Sequence, residues 1–220
     1  LKADIIDHRN YIGGRYSVLS EVGMLPAILM GLSPQKFKKF DYLIKDKNFT
    51  NSLIYNVSST LSLIKKKKFN SIILNFDENS EDLFKWYQQL IAESLGKKMK
   101  GILPVVSNLP RDNHSMMQLY LDGPRNNFYT FFDVLDYPKN SYLAKVKLAQ
   151  KEATKTVFRK KKIPFRCFDL SSRSETSLGT MFTFFMLETI LLGETLKVNP
   201  FDQPAVELIK IYTQKNLRNL

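Results

Sequence analysis

The sequence predicts an α/β fold, a parallel sheet flanked by helices on both faces, and three observations lead there. Four short apolar runs read as strands: "SIILNF" (71–76), "GILPVV" (101–106), "NFYTFFDV" (127–134) and "IPFRCFDL" (163–170). Helical periodicity separates them, over about 80–95, 113–122 and 139–162. The runs are apolar almost throughout, which suits strands covered on both faces better than strands with one wet face. The joints are short, and neither a repeat period nor a low-complexity segment interrupts the series. At 220 residues and 25.5 kDa, the chain is long enough to bury one such core. A hydrophobic share of 44% with 25% charged residues excludes extended disorder.

Residues 16–31 ahead of the sheet read as a helix, small or apolar nearly all round and therefore buried. Ser33 caps a more polar helix through about Ile44, and a third covers roughly 51–67, ending in "KKKK". After the last strand, "LGTMFTFFMLETILLG" (178–193) is the most apolar stretch. It is shorter than the ~20 residues a membrane span needs and carries Glu188 near its centre, so it reads as a core or interface helix. "NPFDQPAVELIK" (199–210) opens a final helix with Pro204 in its first turn. Cys167 stands alone in an apolar run, which predicts a buried thiol in a reducing, cytoplasmic setting. The chain starts at Leu1 with no signal-like segment, which suggests a piece of a longer protein.

A net charge of +12 with pI near 9.6 suits nucleic acid, a membrane surface or a phosphorylated metabolite. The two lysine-rich runs, Lys65–Lys68 and Arg159–Lys162, each close a helical pattern, where cations complement the negative end of the helix dipole. Phe69, Phe165 and Phe168 fall inside strand patterns rather than between the basic residues, so solvated helix ends are favoured over a nucleic-acid surface.

Ligands of parallel α/β sheets bind beyond the carboxyl ends of the strands, which makes the loops there the first places to search. "SNLPRDNHSMMQ" delivers His114 at a helix start, where the positive dipole end acts on an imidazole. Glu93 sits near the C-terminal end of an amphipathic helix, against the dipole, with Lys97 at i+4 as a possible ion-pair partner. "LSSRSETS" (170–177) offers hydroxyls at a helix start, but it lacks the glycines of a phosphate cradle, and capping is the better reading. No Walker loop, G-x-G-x-x-G, G-x-S-x-G elbow or cysteine–histidine cluster occurs, which argues against those enzyme classes and against a bound metal.

Four segments, "GGRYSVLSEVGMLP", "QQLIAESLGK", "NHSMMQLY" and "NPFDQPAVELIK", occur in the order and approximate spacing of the glucose-6-phosphate isomerase (phosphoglucose isomerase) family. The likeness runs from about residue 9 to 217. "GGRYS", "ES-x-GK" and "PFDQPAVE" each resemble family signatures, whereas "NHS" alone is weak. The resemblance implies the three-layer sugar isomerase (SIS) fold. Residues 1–68 would form a helical lead-in, 69–196 the second SIS domain and 197–220 a C-terminal segment, with the family's first SIS domain and its phosphate loop outside this chain. Little turnover is then expected from these residues alone.

The resemblance further implies interconversion of glucose 6-phosphate and fructose 6-phosphate through an enediol, with no metal or cofactor. Glu93 matches the carboxylate that moves a proton between carbons 1 and 2, and Arg15 the guanidinium beside the developing enediolate oxygen. Between the glycines and that role, the opening "GGRYS" reads as a tight backbone turn that presents the arginine. His114 and Lys210 match the pair that opens the sugar ring, with His114 reaching the site of a neighbouring subunit in a homodimer; Gln89 and Gln203 match binding glutamines. Glu21, in place of a small residue, and "ELIK", in place of "EEGK", depart from the pattern. Competing readings are a non-catalytic sugar-phosphate-binding module on the same fold and, more weakly, a basic nucleic-acid binder.

Overall fold

The computed structural model describes residues 5–138 and 140–218. Its centre is a four-stranded parallel sheet in the order β2-β1-β3-β4: β1 Asn70–Asn75, β2 Leu103–Asn108, β3 Asn127–Val134 and β4 Phe165–Leu170. The central strands are buried on both sides, which is why their sequences run apolar without alternation. Ile73, Phe128 and Phe132 face one layer, and Ile72, Leu74, Tyr129 and Phe131 face the other.

The first layer holds α4 (Lys47–Lys65), α5 (Glu81–Leu95) and α9 (Glu175–Leu196). The second holds α7 (Met117–Asp122) and α8 (Tyr142–Lys160). Phe158 of α8 packs edge-on against Tyr129 and Phe131, with ring centroids 4.8 and 5.3 Å apart. A fully buried phenylalanine of this kind contributes about 2 kcal/mol of transfer free energy. The lysine runs fall where expected, Lys65 closing α4 and Lys160 closing α8.

Several boundaries differ from expectation for local reasons. The stretch 16–31 is not one helix: a short 3-10 helix, Gly14–Leu19, gives way at Ser20, whose extended backbone and side chain cap α1 (Glu21–Leu29). Nor is α1 buried all round, since Val22, Ile28 and Leu29 are exposed. The 33–44 segment divides into α2 (Pro34–Phe37) and α3 (Phe40–Lys45), because Lys38 and Lys39 leave helical dihedrals. Asp46 accepts from the amides of Asn48 and Phe49 and starts α4 four residues early. The helix expected at 113–122 is two: α6 (Arg111–Ser115), then α7 after a break at Met116.

Ser174 caps α9 through the Ser177 amide, so "LSSRSETS" does cap a helix. Gly179 is where α9 meets α2: a Cβ there would lie 2.2 Å from the Phe37 carbonyl oxygen. Among the described residues α9 is the one helix long and apolar enough to span a bilayer, but it packs in the core, and its Glu188 is buried against Arg166. Cys167 is exposed, contrary to expectation, because β4 is an edge strand. The final helix, α10 (Pro204–Leu217), starts at Pro204 as expected and buries none of its residues.

Candidate active site

α5 carries Trp86, Gln89 and Glu93 at i, i+3 and i+7, a spacing that puts all three on one helical face. The 3-10 helix lies across that face. Trp86 Nε1 donates to the Arg15 carbonyl (2.9 Å), fixing the backbone from which the guanidinium extends. Arg15 is 3% exposed, and all five of its N–H groups are used. Nε donates to Ser94 Oγ (2.9 Å), and Nη2 to the carbonyls of Pro200 (2.7 Å) and Asp202 (3.0 Å). Nη1 donates to Glu93 Oε2 (3.2 Å) and to Gln203 Oε1 (2.8 Å). Burying a guanidinium is tolerable only with this completeness of partners.

Glu93 is held from both sides. Oε1 accepts from Gln89 Nε2 (3.0 Å) and Oε2 from Arg15, while about a third of the side chain stays open to solvent. The open side faces a cleft of about 500 Å³ lined by Glu93, Lys97, Asn199, Asp202, Gln203 and Val206, among others. Tyr16, whose hydroxyl shares a hydrogen bond with Ser94 Oγ (3.0 Å), has its ionisation pushed up by burial. It remains a neutral donor or acceptor at physiological pH.

Four of the six residues singled out by sequence therefore meet: Arg15, Gln89, Glu93 and Gln203. The other two lie elsewhere. Lys210 is exposed on α10 and pairs with Glu207 (2.7 Å), and it does not line the cleft. His114 is exposed in the last turn of the five-residue α6, not at its start, so the positive helix end is not beside it. It also follows β2, whereas Glu93 sits where α5 descends to the start of β2, as the Gln88–Pro104 hydrogen bond (3.1 Å) marks. A six-residue strand is ~20 Å long, so the two residues belong to opposite ends of the sheet.

The geometry corrects three further expectations. The cluster forms at the C-terminal ends of α5 and α9, level with the amino ends of the strands rather than beyond their carboxyl ends. Lys97 does not pair with Glu93; it turns the other way, to the Ser94 carbonyl (2.9 Å) and Asp202 (3.2 Å). Gly13 and Gly14 make no positive-φ turn, and a Cβ on either would meet open space. Sequence reading also missed Ser94, Tyr16 and Trp86. The helical spacing from Glu93 back to Trp86 was the signal that could have found the tryptophan.

The family model for phosphoglucose isomerase matches residues 2–109. A glucose-6-phosphate isomerase of Mycoplasmopsis pulmonis is 33% identical over 222 aligned residues, covering 90% of this chain and 52% of that one. Another, of Methanocaldococcus jannaschii, is 27% identical, covering 93% and 56%. Among solved structures, a hypothetical protein of Thermus thermophilus superposes with a TM-score of 0.78 at 26% identity, covering 93% of this chain and 55% of that one. A glucose-6-phosphate isomerase of Chlamydia trachomatis superposes with a TM-score of 0.77 over 94% of this chain and 47% of its own, and at 17% identity it speaks for the fold alone. The chain spans about half the length of the curated relatives it matches. The family-model match over residues 2–109 and the likeness to glucose-6-phosphate isomerases over about 90% of the chain make this chain similar to the phosphoglucose isomerase family.

Proposed function

We propose that this chain supplies the proton-transfer half of an aldose–ketose isomerase acting on glucose 6-phosphate and fructose 6-phosphate, a reaction of glycolysis and gluconeogenesis. The observation that carries the reading is the shared Arg15 Nη1, which joins a half-open carboxylate to the Gln203 amide at the rim of a cleft of hexose size. Glu93 is the base that moves a proton between carbons 1 and 2. Gln89 holds its Oε1, so the carboxylate meets substrate in one orientation.

Arg15 stabilises the enediolate, but its five donors are already taken. A substrate oxygen must therefore replace one partner. Gln203 is the one to leave: it lines the cleft and its neutral side chain can rotate away, whereas Ser94 and the Pro200 carbonyl are enclosed, the Asp202 carbonyl is fixed in the backbone, and Glu93 is the base itself. Exchange of a neutral amide for a developing oxyanion strengthens the bond only as charge appears, which favours the transition state over the ground state.

His114 and Lys210 serve ring opening. Because His114 lies a strand's length from Glu93, one hexose can meet both only if they come from two copies, which supports a homodimer in which His114 serves the neighbouring site. A cytoplasmic location follows from the substrate class. The test is deuterium wash-in at carbon 2 of fructose 6-phosphate in D2O, with the protein at its natural length. Glu93→Gln is expected to slow exchange by about 10²–10⁴-fold. Undiminished exchange would remove Glu93 from the role. Sugar-phosphate binding with no exchange in the unsubstituted protein would instead mark a binding module.

A further inference from the structure

The two lysine runs that account for much of the +12 charge do more than close helices. Lys68, just beyond α4, and Lys161 and Lys162, just beyond α8, reach one cavity of about 260 Å³ on the α7–α8 side of the sheet, where Arg125 joins them from the loop before β3. Asn127 and the Tyr120 and Tyr129 walls complete it, with Pro124 and Pro164 at its sides. Each run turns through a left-handed lysine, Lys67 (φ 60°) and Lys162 (φ 54°), where glycine is the easier residue.

The charge there is not neutralised. Among the described residues no carboxylate lies within 4 Å of Lys68, Arg125 or Lys162, and Lys161 has only Asp122 at 3.9 Å. Lys68 Nζ instead donates to the Arg125 carbonyl. Burial, with Arg125 and Lys66 as like-charged neighbours, holds the Lys68 ammonium below its ordinary pKa. Four cations on three segments, walled by tyrosine and proline and without a close carboxylate among the described residues, give the cavity the character of an anion site. The candidate active site uses none of these residues.

We propose that this cavity binds a compact polyphosphate anion, a diphosphate or triphosphate group either free or carried on a nucleotide. A single orthophosphate would leave most of the four cations unmatched. An extended polyanion is disfavoured, because the site is a pocket between two helix ends with its aromatic rings buried, not a groove with exposed rings for stacking. Arg125 and the lysines hold the phosphate oxygens by charge-assisted hydrogen bonds.

Calorimetric titration of the whole chain with sodium triphosphate tests this at low and at physiological salt. Saturable binding with one site per chain is expected, weakening as salt rises. Arg125→Gln and Lys162→Gln should each weaken it about tenfold or more. Lys145→Gln, exposed at the far end of α8 and ~24 Å away along the helix, should leave it within about twofold, as should Glu93→Gln. Thermal unfolding of each variant checks that it folds. ATP binding at least as tightly as triphosphate would identify a nucleotide as the source, and weaker ATP binding would identify the free anion. Equal weakening by Lys145→Gln, no effect of Arg125→Gln and Lys162→Gln, or tighter binding of duplex DNA than of triphosphate would each overturn the proposal.

Discussion

Arg15 and Arg166 are built alike on the inside and differently on the outside. Each spends all five N–H donors, each gives Nε to a buried hydroxyl (Ser94 at 2.9 Å, Thr130 at 3.0 Å), and each faces a glutamate. Arg166 grips both oxygens of Glu188, and its remaining donors go to Asn56 (3.2 Å) and Tyr87 (3.3 Å). Glu188 is 1% exposed, against 32% for Glu93. Burial opposes the Arg166 charge, but Glu188 and Tyr87 outweigh it and hold the guanidinium above its ordinary pKa. An arginine–glutamate contact is therefore no mark of chemistry by itself. The mark is a carboxylate that its partners orient without enclosing it.

The closed pair should show the largest effect on stability. Glu188→Ala leaves a guanidinium uncompensated in the core and is expected to cost about 3–5 kcal/mol in urea unfolding. Replacing both partners, Arg166→Met with Glu188→Leu, should recover most of the loss, because the desolvation of both charges goes with them. If the single substitution costs under ~1 kcal/mol, the two pairs do not differ in the way proposed.

Tyr87 sharpens the same contrast through pH. Burial, with Glu188 beside it, pushes its ionisation up to about 12, although Arg166 pulls the other way. Its folded pKa lies above the unfolded value near 10, so the stabilisation is complete below pH ~10 and is lost as pH rises through about 12. About 2–3 kcal/mol is at stake over that window. Tyr87→Phe cannot ionise there, so its stability should fall less steeply between pH 10 and 12. Parallel curves for the two proteins would mean that the tyrosine is already solvated.

Much of this arrangement was legible in the residue pattern, and the gaps have physical causes. The four strands and their flanking helices follow from apolar runs and periodicity, signals that burial on two faces writes directly into sequence. The breaks at Ser20, Lys38–Lys39 and Met116 were missed, because a cap or a local dihedral overrides a periodicity that continues through it. Cys167 looked buried because its neighbours are apolar, but β4 is an edge, and strand order is not written locally. At the candidate site the lone carboxylate and guanidinium stood out through family resemblance. Their junction does not follow from spacing, since Arg15 and Gln203 are 188 residues apart in the chain. Nor did charge count reveal that two distant lysine runs share one cavity.

The smallest effects lie within the Arg15 cluster and compare the inner and outer sides of a single guanidinium. Ser94 is fully buried, so Ser94→Ala strands Nε where water cannot follow, an expected cost of about 1–3 kcal/mol. Gln203 accepts from Nη1 at the edge of the cleft, where water can take its place, and Gln203→Ala should cost less than ~1 kcal/mol. If Gln203 is the partner that substrate displaces, its loss also removes a competitor for Nη1. The KM of the protein at its natural length should then fall while kcat changes little, because substrate no longer has to break the Gln203 bond to reach Nη1, and the amide is already absent from the bound and transition states. Equal destabilisation by the two substitutions would mean that Nη1 is as enclosed as Nε, and a substrate oxygen would have no route to the charge.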